Sequence, residues 1–425
     1  MNQLQKYIQR DAVQAFLLAL GYGISFYLLN LFLHQRGMVS LLPGNQNLMH
    51  WDSGWYKEVA ELGYIYREKG PCNVVFFPLF PIVWKLLPFS AMGISFVNAA
   101  LFAMGFALFN TLYKLSAVEK LIILSLPPIY FAFIPYSEAV FILCTSASLW
   151  AIHHNKKGLL WLSLFLLALS RPVALVMAPA FILAELILND RNKWLLSLKR
   201  SLHYIVPSLA GTFLLFAYQY YTTGVWLGFF IKEVEVWEHK FAIPTLPFNS
   251  YHGPRLLWLN AVAMFLCVMA LILLVSRGIQ WLAKNKVAQN RLLILSCLYM
   301  VAVLCKTVFF NPTWGTYTTN VFDINRYVFA SPFFWVFLIY FVKDRRYTAI
   351  DFLKLLLLTN AFWLLFASYN HIMYVVYFNF CTLMIMLYMM HANGYPWAVA
   401  IIFTLNLYVQ VQMFQGFIGE NIYPG

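Results

Sequence analysis

From about residue 12 to residue 412 the chain repeats one pattern: an apolar run, a brief polar break, and another apolar run. The longer runs match the ~20 residues that carry a helix across about 30 Å of hydrocarbon at 1.5 Å per residue. In lipid every backbone N–H and C=O must be satisfied internally, so such a chain folds as a bundle of membrane helices. Hydropathy predicts helices near 12–33, 90–113, 121–135, 137–152, 159–170, 173–189, 203–222, 256–276, 292–310, 326–342, 352–369, 373–390 and 396–412. The expected fold is an all-α integral membrane protein with about 11–13 transmembrane helices. The first run is one of many and no small-residue cleavage site follows it, so it reads as a span and not as a signal peptide.

Composition excludes a soluble domain: 62% of the 425 residues are hydrophobic, 11% are charged, and the mean hydropathy is +0.70. The formal charge of +13 invites a nucleic-acid reading. The Lys and Arg residues, however, fall mostly in short loops and form no continuous stripe, so nucleic acid is not an expected partner. They report topology instead. With the N-terminus inside, the inner loops gather Lys114, Lys120, Lys156, Lys157, Arg191, Lys193, Lys199, Arg200, Lys284, Lys286, Arg291, Lys343, Arg345 and Arg346, as the positive-inside bias requires. The six cysteines stand in no CxxC or metal-ligand spacing and are expected as free thiols.

Two outer loops are long, from about 34 to 89 and from about 223 to 255. No linker, low-complexity tract or internal repeat divides the chain, so residues 1–425 form one membrane domain. In the first long loop, Trp51, Trp55, Val59 and Leu62 recur at helical spacing, with Lys57, Glu58 and Glu61 off that stripe. This predicts a helix in the membrane interface. Phe76-Phe77-Pro78-Leu79-Phe80-Pro81 follows, its two prolines expected to break a helix where the chain turns back into the membrane.

Under this topology Asp52, Glu138, Arg171, Asp323 and Arg326 converge on the outer edge of the bundle from distant parts of the chain, with Lys306 near the same edge. Ionisable groups at membrane depth are costly unless paired or wetted, so a cluster of both signs is a functional-site hypothesis. Blander readings stand beside it. Asp52 occupies a helix N-cap position, Glu138 and Arg171 suit a structural ion pair, and Arg326 suits a side chain snorkelling to the interface.

Trp51-Asp52, Ala60-Glu61-Leu62-Gly63-Tyr64 and Phe76-Phe77-Pro78-Leu79-Phe80-Pro81 resemble the first luminal loop of PIG-V-type mannosyltransferases and their bacterial relatives. Pro135-Tyr136-Ser137-Glu138 and Ser170-Arg171-Pro172 resemble later motifs of that family in the same order, and Asn325-Arg326-Tyr327 extends the likeness. The chain departs from the pattern after Arg171, where Pro172-Val173 stands, and it has no long luminal insertions.

The resemblance implies a GT-C-type bundle and an inverting transferase. Such an enzyme moves a hexose, mannose by resemblance alone, from a polyprenyl-phosphate donor to a hydroxyl on a glycan, lipid or protein. Asp52 is then the catalytic residue. Arg171 and Arg326 are expected to bind the donor phosphate, because guanidinium groups match phosphate oxygens bidentately. Trp51, Trp55, Tyr136, Glu138 and Asp323 are expected to bind or orient substrate. No cofactor is expected, although magnesium needs only one or two carboxylates. The rival readings are a transporter or flippase of a lipid-linked glycan, and a non-catalytic scaffold subunit. Compact loops and the absence of an Asn-x-Ser/Thr sequon with a middle residue other than proline favour a bacterial inner membrane over the endoplasmic reticulum, with the site facing away from the cytoplasm.

Overall fold

A polar or proline-containing break ends each apolar run, and the breaks decide which runs become long helices. The computed structural model describes residues 3–420 apart from 190–192, 251–253, 284–289, 311–316, 344 and 367–371. Arg191, Lys284 and Lys286, the end of the 352–369 run and part of the 223–255 loop lie outside the described residues.

The chain begins with α1 (Gln3–Gln35), and the first long loop then carries α2 (Asp52–Leu62) and α3 (Leu79–Leu86). Next come α4 (Ala91–Tyr113), α5 (Ala117–Ser125), a 3-10 helix Pro127–Phe133, α6 (Glu138–His153), α7 (Lys157–Ala168) and α8 (Met177–Leu188). After α9 (Trp194–Thr223), the second long loop holds α10 (Gly228–Glu235). The remainder is α11 (Pro254–Leu282), α12 (Arg291–Phe310), α13 (Ile324–Phe329), α14 (Pro332–Lys343), α15 (Ala349–Trp363), α16 (Ile372–Ala392) and α17 (Pro396–Ile418). Among the described residues the β-structure amounts to two isolated bridges, so the fold is all-α as expected.

Every apolar run is largely helical, but fewer than thirteen helices have spanning length. Among the described residues seven are long and apolar enough to cross a membrane, within α1, α4, α9, α11, α12, α16 and α17. The 3-10 helix Pro127–Phe133 and α6 make an eighth as a pair bent by 102°. Helices α7, α8 and α14 are apolar but only 12 residues each. The shortfall has a local cause: Pro127 divides the 121–135 run, and the breaks before Glu138 and at Arg171-Pro172 leave α6, α7 and α8 at 16, 12 and 12 residues.

The two prolines of the first loop act differently from the expectation. Pro78 caps α3 and Pro81 stands in its first turn, where a missing N–H costs nothing, so they start a helix instead of breaking one. The interfacial stripe is also rotated. Helix α2 buries Ser53, Tyr56, Val59 and Ala60, while Leu62 is exposed and Trp51 partly so. Glu58 turns inward onto Arg67, and Lys57 pairs with Glu61 on the outer face.

Helix α4 packs between α1 and α6, and α9 packs against α7 and α8. Small residues set two of these approaches. A Cβ on Gly105 would stand 2.9 Å from Leu143 Cα, and one on Gly211 would stand 2.5 Å from the Phe165 carbonyl oxygen. Large apolar side chains left exposed, such as Leu17, Leu28 and Phe32 on α1 and Leu202, Leu209 and Phe213 on α9, suit contact with lipid.

Basic residues gather at one end of the bundle, where Lys120 meets Asp11 at 3.2 Å, Arg291 meets Glu185 at 3.5 Å, and Lys343 reaches the Tyr113 carbonyl at 3.2 Å. The long loops form the other end. They are tied together: the buried Lys232 of α10 donates to the Glu68 carbonyl at 2.8 Å, and Gln219 at the end of α9 donates to the Val74 carbonyl at 2.6 Å.

Candidate functional site

The site is built where three helix breaks meet at the loop end. The first is the entry to α2. Asp52 is the first residue of that helix and not its N-cap, which is Trp51, and Trp51 makes no side-chain capping bond. Trp51 has φ +56° and ψ −128°, a backbone conformation that side-chain-bearing residues rarely adopt. Such outliers persist only where the surroundings enforce them. Here the Asp52 N–H donates to the Tyr136 hydroxyl at 3.2 Å, fixing the turn against the second break.

That second break separates the 3-10 helix Pro127–Phe133 from α6. Asn98, inside the apolar run of α4, donates to the carbonyls of Ile134 (2.6 Å) and Tyr136 (2.9 Å), so the exposed backbone of the bend is satisfied within the protein. Tyr136 stacks on Phe131, and Ser137 shares a 2.8 Å hydrogen bond with the Tyr56 hydroxyl of α2. Glu138 then opens α6, where a carboxylate complements the positive end of the helix dipole.

Arg171 follows the end of α7 and precedes Pro172, which stops the helix from continuing through it. The Leu79 N–H donates to the Leu169 carbonyl at 3.0 Å, holding this break against the start of α3. Arg326 lies on the short helix α13. That helix is preceded by Asp323 in the left-handed conformation and is anchored by Asn325, whose amide donates to Asn260 of α11 at 2.5 Å.

The three breaks and α13 carry one ion-pair network. Arg326 donates through Nη1 to Asp52 Oδ2 at 3.0 Å and through Nε to Glu138 Oε1. Arg171 Nη1 stands 3.0 Å from the same Glu138 oxygen. Arg326 also lies over the rings of Phe131 and Tyr136, and Arg171 over those of Tyr327 and Phe141. The Lys306 ammonium also lies over the Tyr327 ring, 5.4 Å from its centre. Glu138, Arg171 and Arg326 are buried, whereas the Asp52 side chain is 31% exposed. The network therefore has one member open to its surroundings, and it is Asp52.

Asp323 belongs to the same neighbourhood. Burial pushes its carboxyl up to about 7; Arg326 opposes the rise and the charge of Asp52 adds to it. Its Oδ1 is enclosed without a hydrogen-bond partner, as are Glu138 Oε2, Ser53 Oγ and Asn98 Oδ1. Among the described residues no group of three or more His, Cys, Asp or Glu is placed to hold a metal ion. The described cysteines are all free.

Asp52, Tyr136, Glu138, Arg171 and Arg326 are thus brought into direct contact, with Asp323 beside them. Arg326 does not snorkel: it is 4% exposed and held between two carboxylates. Glu138 and Arg171 do form an ion pair, as one reading of the sequence had it. The tryptophans stand apart from the network. Trp55 stacks on Phe76 and has the Arg67 guanidinium over its own ring, and Trp51 contributes its backbone. Sequence reasoning missed Asn98, Tyr56 and the Asn325–Asn260 pair; a polar residue interrupting an apolar run was the available signal for Asn98 and Asn260.

Helix length and hydropathy make this chain a multi-pass, all-helical membrane protein. No family model, curated protein or solved structure matches it.

Proposed function

We propose that the protein is a glycosyltransferase that moves a hexose from a polyprenyl-phosphate donor to an acceptor hydroxyl at the loop end of the bundle. The observation that carries the reading is a partly exposed carboxylate, Asp52, held by a buried arginine that is itself fixed by Glu138. Transfer needs three things: a base at the acceptor oxygen, an open anomeric carbon, and a cation at the leaving phosphate. As the acceptor oxygen bonds to the anomeric carbon, its proton passes to Asp52. The bond from that carbon to the phosphate oxygen breaks, and its electron pair stays on the phosphate. A positioned base contributes on the order of 10² to 10⁴ in rate. One displacement inverts the anomeric centre.

The ion pairs divide the two arginines between different tasks. Arg326 already serves two carboxylates, so its role is to aim Asp52. Arg171 serves one, and its remaining N–H groups suit a phosphate oxygen. Mannose as the sugar and a bacterial inner membrane as the location rest on motif resemblance and loop composition alone. The test is a transfer assay with radiolabelled polyprenyl-phosphate mannose and a crude membrane extract as acceptor. Product is expected from the wild type and not from Asp52→Asn; equal product from both removes Asp52 as the base.

A second reading, a transporter or flippase of a lipid-linked glycan, draws on the span broken by 102° beside the buried charges, since broken helices also build transport sites. Movement of a labelled lipid across the bilayer with no change in its structure would favour it.

A further inference from the structure

Helix α10, in the second long loop, is built inside out. Its charges turn toward the protein: the Lys232 side chain is 1% exposed and meets Glu235 at 2.9 Å, and Glu233, mostly covered, pairs with His239. The opposite side carries Phe230 and Val234, and Trp226 stands four residues before Phe230, each about half exposed. At that spacing the three side chains share one face. Beyond the helix Phe241, Ile243 and Leu246 are exposed as well, Ile243 to 82%. A helix bathed in water shows the reverse polarity, with its apolar stripe toward the core and its charges out. Large exposed apolar patches mark a surface that something covers.

What covers it is shown by where it joins the bundle. On the spanning helix α9, Leu202, Val206, Leu209, Phe213 and Tyr220 are exposed at helical spacing, a single stripe along the span. The Trp226 ring lies 6.4 Å from that of Phe213 and 5.8 Å from that of Tyr220, and Phe230 lies 5.5 Å from Phe216, so the α10 face carries this stripe on past the end of α9. At the other end of the patch, Phe241 meets Phe309 (6.0 Å) and Phe310 (5.6 Å) where the α12 span closes, and the Ala242 N–H donates to the Phe309 carbonyl at 2.8 Å. Both ends therefore stand at the loop ends of spans. Trp226, Tyr220 and Tyr221 suit that level, because tryptophan and tyrosine favour the depth of the lipid headgroups.

We infer that residues 226–246 form a strap lying in the membrane interface, with the Trp226, Phe230 and Val234 face immersed in the lipid leaflet at the loop end. The partner of this surface is the bilayer itself, and the stretch that hydropathy reads as an outer loop is held by lipid on one side and by protein on the other. Its protein side grips the first long loop. Lys232 donates to the Glu68 carbonyl at 2.8 Å, Phe229 packs edge-on against Phe77 at 5.5 Å, and a Cβ on Gly228 would stand 3.5 Å from the Tyr66 ring. The strap thus ties the segment between α2 and α3, in the loop that bears Asp52, to the level of the bilayer surface. The inference is independent of the transferase reading and needs no activity for its test.

The experiment places a nitroxide spin label on Trp226→Cys, Phe230→Cys or Val234→Cys in the full-length protein, in phosphatidylcholine nanodiscs. Cys305, the exposed cysteine among the six, is replaced by serine in every sample. Power saturation compares collisions with oxygen, which concentrates in hydrocarbon, and with a nickel chelate, which stays in water. Phe213→Cys on the lipid-facing stripe of α9 and Arg346→Cys in an exposed loop at the opposite end are the two references. The oxygen-to-nickel ratio at all three positions is expected to be several-fold above that at 346 and close to that at 213. A ratio like that at 346 at any of the three overturns the inference, as an aqueous loop would give it. Low access to both agents also overturns it, since a protein partner or a second copy would then cover the face. Should a cysteine variant fail to fold, the wild-type protein is irradiated in nanodiscs whose phosphatidylcholine carries a diazirine on its acyl chain. Crosslinks within 226–246 uphold the strap, and labelling of α9 without them rejects it.

Discussion

Arg326 Nη1 stands 3.0 Å from Asp52 Oδ2, so a carboxylate of the first long loop takes its position from a residue 274 places further along the chain. The same guanidinium also holds Glu138, and a lysine ammonium has no planar fork with which to bridge two carboxylates. Arg326→Lys is expected to leave the protein inserted and folded but to let Asp52 drift. A displacement of about 1 Å costs on the order of 10²-fold in rate. Transfer activity measured beside the circular dichroism spectrum checks this; a lysine variant with wild-type turnover would show that Asp52 needs no such support.

Glu138 is fully buried and answers two buried arginines. Replacing it with glutamine leaves their charges without their shared counter-ion. Removing one partner of a buried ion pair costs about 3–5 kcal/mol. Thermal unfolding in detergent should therefore show Glu138→Gln strongly destabilised, and a melting temperature equal to wild type would mean that water or lipid already neutralises the arginines.

Asp323 carries a carboxyl pushed up to about 7, mainly by burial. A carboxyl raised in the folded state binds its proton more tightly there than in the unfolded chain. Its contribution is therefore complete below the ordinary aspartate range near 4 and is lost as pH rises through about 7. Asp323→Asn keeps a residue tolerant of the left-handed conformation that position 323 adopts, at φ +67°. The expected result is a variant whose melting temperature gains on wild type as pH goes from 4 to 7.5, with the gap closing at low pH. A pH-independent gap would assign the effect to something other than titration of this group.

Gly211 and Gly21 make a matched pair. A Cβ at Gly211 meets the Phe165 backbone oxygen at 2.5 Å, while at Gly21 nothing lies within 4 Å. Gly211→Ala should push α9 from α7 and cost about 1–3 kcal/mol, the usual range for overpacking. Gly21→Ala should be neutral or stabilising by about 0.5–1 kcal/mol, since alanine restricts the chain less unfavourably within a helix. Unfolding curves of the two variants measured side by side test the α7–α9 approach directly.

The sequence made the membrane bundle legible because hydropathy is a property of consecutive residues, and every apolar run is largely helical. It also made legible that Asp52, Glu138, Arg171 and Arg326 gather at one end of the bundle, since each sits at a break that proline or a polar residue announces. What each of them touches was hidden. The choice of Arg326 over Arg171 as the partner of Asp52 depends on how α13 seats against α11 through Asn325 and Asn260, a contact between residues 65 apart. The alternative reading of Asp52 as a helix cap arises because an aspartate before a helical stripe often is one. The backbone of Trp51 starts the helix one residue early and frees that side chain for Arg326. Spans of full length are fewer than apolar runs because several runs fold as helices of 12–16 residues, and the stabilisation of the bend before Glu138 by Asn98 from another helix is something no local pattern reports.

The bridge made by Arg326 sets a schedule for biosynthesis. Glu138 enters the membrane 188 residues before Arg326 is made, and at about 5–20 residues per second that interval lasts roughly 10–40 s. Arg171 is made far sooner and can serve as the interim counter-ion, so the nascent N-terminal half crosses the insertion machinery with its acid already matched. Asp52 has no such early partner among these arginines. Its alignment is among the last events of assembly, and an unfinished chain that stops before α13 would be inserted, stable at its first ion pair, and silent.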